Sequence, residues 1–177
     1  MVGLVSSFLF IVRLPTSAPG IEQVSEVPAG KGVVLFAGSP KKEARIGEEI
    51  SVSITFKIET PNVNIKNIIF GLKYDQAIID FVREDGVADS DFASNARILN
   101  ISENEFIGGW SSVAATEIRP NEMIYLSKVV FRAVGGGTIN ITPSFGEARK
   151  SGMSSVIASD GKNILDGVGG FSLTITK

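Results

Sequence analysis

Histidine and cysteine are both missing from this chain of 177 residues. Without cysteine there is no disulfide, no thiolate nucleophile and no Cys-ligated zinc or iron–sulfur centre. The missing histidine excludes more, because imidazole is the commonest metal ligand and the usual general base near neutral pH. Ser-His-Asp and Cys-His chemistry are impossible here. Catalysis by carboxylates, lysine or tyrosine would need a cleft to pair those groups, and no motif announces one. The sequence points away from an enzyme. Charge of one sign is also scarce: 17 basic and 19 acidic residues leave a formal charge of −2 and no polybasic stripe for phosphates, so nucleic acid is not an expected partner. No stretch holds a 3.6-residue apolar period long enough for a substantial helix.

What is present begins with an apolar run, residues 2–12 (VGLVSSFLFIV), too short to span a bilayer and of the length of a signal-peptide core. Arg13 ends it, and residues 14–20 (LPTSAPG) offer small side chains for cleavage, although no basic residue precedes the run. Residues 1–30 are therefore expected to be an apolar segment, a signal or anchor remnant, followed by a linker. Residues 31–177 are expected to form one domain. The location expected is secreted or at the cell surface, with attachment through the N-terminal segment as one route.

Strand signals fill the rest. Residues 50–58 (ISVSITFKI) alternate without error, placing Ile50, Val52, Ile54, Phe56 and Ile58 on one side and Ser51, Ser53, Thr55 and Lys57 on the other. Residues 65–74 put Ile68, Phe70, Leu72 and Tyr74 on one face and Asn67, Ile69, Gly71 and Lys73 on the second. Further strands are expected over 32–36, 78–83, 96–101, 105–111, 122–134, 138–142 and 170–176, most of them separated by turn residues. Between Leu126 and Val129 the apolar parity changes once, which a β-bulge explains. Short strands at close spacing predict an all-β fold in which two half-apolar sheets bury their faces against each other.

The order of these features is specific. Gly47-Glu48-Glu49 opens the alternating strand, and residues 65–75 end in Tyr74-Asp75. Ala77-Ile78-Ile79-Asp80-Phe81 follows, then residues 126–133 (LSKVVFRA) before a glycine run. Over roughly 32–176 this text resembles the cohesin domain of cellulosome scaffold proteins. The resemblance implies a nine-stranded β-sandwich with jelly-roll topology that binds a dockerin, a small calcium-loaded helical module on a partner protein. Calcium would belong to the partner, and this chain would need no cofactor. In the family the dockerin lies on the sheet of strands three, five, six and eight, here 65–74, 96–101, 105–111 and 138–142. The partner-binding residues implied are Asn67, Ile69, Gly71 and Lys73 on the first of these, Arg97 and Leu99 on the next, and Glu105, Ile107 and Gly109 on the third. Asn67 keeps the polar character common in the family, whereas Ile69 departs from it and makes the patch more apolar. Gly108 and Gly109 would let a partner helix approach the backbone.

Other features weigh toward structure. Tyr74-Asp75 reads as a core anchor with a turn cap, and the lone Trp110 as core before hot spot or sugar platform. Glu84, Asp85, Asp89 and Asp91 do not match the spacing of an EF-hand loop and read as a solvated acidic loop. Gly135-Gly136-Gly137 precedes a strand, without the helix of a phosphate loop. A carbohydrate-binding module of related fold is the second functional reading, and one Trp and two Tyr leave it few aromatics. The third is a structural surface-layer or adhesin domain.

Overall fold

The computed structural model describes residues 32–59, 63–86, 96–102, 104–121, 123–145 and 153–177. Every regular element among them is a strand. In chain order these are β1 Val33–Gly38, β2 Glu43–Arg45, β3 Glu49–Ile58, β4 Val63–Lys73, β5 Ile79–Gly86, β6 Ala96–Ser102, β7 Glu105–Ile118, β8 Met123–Ala133, β9 Gly137–Ile141, β10 Ser155–Ala158, β11 Leu165–Gly169 and β12 Phe171–Thr176. The expected N-terminal segment and linker lie outside the described residues, as do Asp89 and Asp91.

The strands form a five-stranded sheet ordered β11-β1-β3-β8-β5, a four-stranded sheet ordered β10-β4-β7-β6 and a three-stranded sheet ordered β2-β12-β9. Twelve strands are thus described where nine were expected. The nine expected segments all appear; the additions are β2, β10 and β11, which are three to five residues long. Most pairs are antiparallel, with two exceptions that join the beginning of the domain to its end. β1 runs parallel to β11, from Val33 beside Leu165 to Phe36 beside Gly169, and β2 runs parallel to β12, from Glu43 beside Thr174 to Arg45 beside Thr176.

One apolar cluster fills the space between the sheets and makes the fold a sandwich. It takes Ile50, Val52, Ile54, Phe56 and Ile58 from β3, as their alternation requires, and Ile68, Phe70 and Leu72 from β4. A chain of rings crosses it: Phe70 to Phe106 at 5.8 Å, Phe106 to Phe81 at 5.3 Å, Phe81 to Phe131 at 6.3 Å and Phe131 to Tyr74 at 5.1 Å between centroids. Each such side chain contributes about 1.5–3 kcal/mol by leaving water, and each ring pair adds about 0.5–1.5 kcal/mol. The expected bulge in β8 is present, because Ile54 pairs with Ser127 and Thr55 with Tyr125, leaving Leu126 as the extra residue. It keeps Ile124 and Leu126 inward on one side of the shift and Val129 and Phe131 inward on the other.

The turns follow their sequences. Asp75 accepts the Ala77 N–H at 2.9 Å through its side chain, and its carbonyl accepts from Ile78 and Ile79, so it caps the turn into β5 as expected. Gly47, between β2 and β3, sits at φ 92°, a conformation that a side chain disfavours. Gly135 approaches the Ala77 carbonyl so closely that a Cβ would lie 2.1 Å from its oxygen, which explains the glycine run as a packing requirement.

Candidate partner-binding face

The register of β4 against β7 sorts the site residues. Ile68 pairs with Trp110, Phe70 with Gly108 and Leu72 with Phe106, and these turn inward. Asn67 pairs with Ser111, Ile69 with Gly109, Gly71 with Ile107 and Lys73 with Glu105, and these share the opposite, outer face. Seven of the nine expected site residues therefore lie side by side on two neighbouring strands. The other two are on β6, Arg97 opposite Gly109 and Leu99 at the register shift between Ile98 and Asn100.

Burial divides this face. Lys73 is exposed, and Asn67, Ile69 and Glu105 are half-buried. Gly71 and Gly109 are buried, and Ile107 keeps only 8% of its surface, so it is not the open outward contact that the sequence implied. It lies on β7, an inner strand flanked by β4 and β6, each about 4.8 Å away. Ile69, half-buried, is the apolar side chain that β4 presents beside Asn67 and Gly71 on this face.

Two expectations need correction. Residues 138–142 do not belong to this sheet, because β9 pairs with β12 in the three-stranded sheet. Only the continuation of β9 reaches β4, through a bridge between Pro143 and Leu72 and a 2.7 Å hydrogen bond from the Ser144 N–H to the Gly71 carbonyl. The place beside β4 is taken by β10, with Ser155 opposite Ile69 and Ile157 opposite Asn67. Ser154 stitches the junction: its Oγ accepts from the Gly71 N–H at 3.2 Å and its own N–H donates to the Ser144 carbonyl at 2.8 Å. Gly108, secondly, has inward parity, and a Cβ there would lie 2.3 Å from the Phe70 ring. Its missing side chain makes room for the core and does nothing for a partner.

Sequence reasoning missed Ser155 and Ile157 as members of the face. The tetrad SVIA of β10 is the signal that could have found them. Phe145, half exposed at 50%, lies one residue beyond the Ser144 contact. Trp110 is 4% exposed and belongs to the core cluster, which removes it as a platform for a sugar ring.

The outer face of the five-stranded sheet is organised differently. Arg83 binds Glu49 at 3.0 Å and Asp85 at 3.2 Å, Lys128 binds Asp85 at 3.1 Å, and Arg132 reaches Glu49 at 3.5 Å. Ser127 donates to Glu84 at 2.5 Å. The hydrogen bond from Lys128, and the charges of Arg83 and Lys128, hold the Asp85 carboxyl below its ordinary range, while bonding to Glu49 first raises the Arg83 guanidinium. Glu84 and Asp85 of the acidic segment are thus engaged across β5 and β8. Burial, and then the charge of Asp80, push the Tyr74 phenol up, in keeping with a core anchor.

The fold of this sandwich is similar to that of solved cohesin modules. The cohesin module of a family 33 glycoside hydrolase from Clostridium perfringens superposes with a TM-score of 0.65 at 11% identity, over 83% of this chain and 98% of that one. The third cohesin ScaC of Acetivibrio cellulolyticus, in complex with the ScaB dockerin, gives 0.63 at 15% identity, over 82% and 99%. The OlpA cohesin of Clostridium thermocellum, in complex with a dockerin, gives 0.60 at 15% identity, again over 82% and 99%. No family model and no curated protein matches the sequence.

Proposed function

We propose that this domain is a non-catalytic protein-binding module that docks a dockerin-type, calcium-loaded partner on the outer face of its four-stranded sheet. The observation that carries the reading is coverage: the chain matches 99% of the length of two cohesins that were solved with their dockerins. The face supports it, with two half-buried apolar side chains, Ile69 and, on neighbouring β10, Ile157, set among Asn67, Lys73, Glu105 and Ser111. A partner helix laid across β4 and β7 would bury Ile69 at its centre and meet polar groups at the rim, the arrangement of protein interfaces in general. Ile69 in place of a polar residue makes specificity a matter for this chain's own partner.

Calcium is assigned to the partner, and no cofactor to this chain. The complete lack of histidine and cysteine supports a binding role over an enzymatic one. We read the topology as a jelly roll in which β9 leaves one sheet and its continuation at Pro143 and Ser144 joins another. The place of action is extracellular or at the cell surface. Titration calorimetry of the domain against a panel of dockerin-bearing proteins, in calcium and then in chelator, tests the proposal. One-to-one binding that chelator abolishes is expected; silence across the panel in calcium overturns it.

A further inference from the structure

The isoleucines on the outer face of the four-stranded sheet fall on one oblique line. Ile157 of β10 stands opposite Asn67, and Ile69 lies two residues further along β4, which makes the two diagonal neighbours about 7–8 Å apart. Ile69 in turn stands opposite Gly109, and Ile107, opposite Gly71, repeats the same diagonal step onto β7. Ile157 and Ile69 are half-buried, whereas Ile107, at 8%, is the sunken end of the line. Strands about 4.8 Å apart, with about 6.7 Å between alternate residues, set this line at about 35° to the strand direction. The positions that register places beside the two accessible isoleucines are Asn67, Gly71, Gly109, Ser155 and Asn163, and none carries a charge. The apolar surface is therefore a narrow stripe with polar or small residues on both sides.

We infer that Ile157 and Ile69 together set the specificity of the docking face, and that the element they select is a partner helix with an uncharged aliphatic stripe, lying along this diagonal. The direction of the line argues for a helix. A peptide that added a strand would run along a sheet edge, parallel to the strands, and would be held by backbone hydrogen bonds. An oblique row of aliphatic groups is matched instead by the apolar stripe of an amphipathic helix. Two diagonal steps cover about 15 Å, the length of about three helical turns. Without a charge beside the stripe, a charged residue in the partner's stripe would lose water and gain no counter-ion. The inference rests on the docking reading and narrows it, because it makes β10 a part of the recognition surface.

Paired substitutions of equal shape test it, with the dockerin-bearing protein that binds in the calcium panel as the probe. Ile157→Val and Ile157→Thr are both β-branched and suit a strand, but only the first keeps the contact apolar. Ile157→Val should hold affinity within about threefold and Ile157→Thr should weaken it at least about fivefold, with the same split at Ile69. Ser111→Ala, on the same face but off the line, should change it less than about twofold. Equal affinity of the Val and Thr variants at position 157, or a loss at Ser111 as large as that of Ile157→Thr, overturns the stripe and leaves the docking reading standing. Silence of the whole panel overturns the docking reading, and the stripe is then read in the free domain. Isoleucine-methyl NMR with 2-propanol as a small apolar probe should shift Ile157 and Ile69 at least about twice as far as Ile46, although Ile46 is 43% exposed and lies off the face. Shifts at Ile46 that match or exceed theirs overturn the stripe. The same titration of the unsubstituted domain decides should a Thr variant fail to fold.

Discussion

The outer faces of the two larger sheets solve the problem of surface charge in opposite ways. On the five-stranded sheet, Arg83, Glu49, Arg132, Asp85 and Lys128 are bound to one another across three strands. On the four-stranded sheet, Lys73 and Glu105 stand opposite each other, and neither enters an ion pair among the described residues. The first face satisfies itself. The second keeps polar groups and an isoleucine open to a partner, which is why the docking reading falls there.

The largest effect expected from breaking this contrast is at Ile107. It has the parity of the docking face but the burial of the core, so Ile107→Asp places an unpaired charge out of water and should cost about 3–5 kcal/mol of stability, measured by urea unfolding. Ile69→Asp, one strand away and half-buried, should leave the unfolding midpoint nearly unchanged while weakening partner binding at least tenfold, about 1.4 kcal/mol or more. If the two variants behave alike in both assays, the division of the face by burial is wrong. Arg83→Ala should lower the unfolding midpoint only slightly, an effect that shrinks in high salt, and should leave partner affinity as it was. The smallest effect is at Asp85, whose folded-state pKa is depressed. A depressed carboxylate contributes stability above its unfolded value, about 3.9, and loses it as pH falls through the lower folded value. Lys128→Ala should therefore raise the Asp85 midpoint in a carbon-detected NMR titration; an unmoved midpoint would refute the pairing.

Much of the fold was legible because side-chain parity is local. The alternation in β3 and β4 identified the core face, and the parity change in β8 located its bulge. Two of the three unread strands lack such a signal. β2 is too short to show a period, and β11 (LDGVG) has the composition of a turn, made a strand by pairing with β1. The outward residues of β4 and β7 were readable for the same reason, whereas the partner of β9 was not. Which strand lies beside β4 depends on contacts distant in sequence, and the β9 segment alternates equally well in either sheet. Gly108 misled because a glycine that accommodates a ring inside looks the same in sequence as one that accommodates a helix outside.

The parallel pairs β1–β11 and β2–β12 have a mechanical consequence. Because the first strands run in the same direction as the last, Gly32 and Lys177 sit at opposite ends of the paired segments. Tension applied through these two points pulls the partners lengthwise past each other. Their backbone hydrogen bonds then resist together, in shear, where an antiparallel pair pulled from adjacent ends would open bond by bond like a zipper.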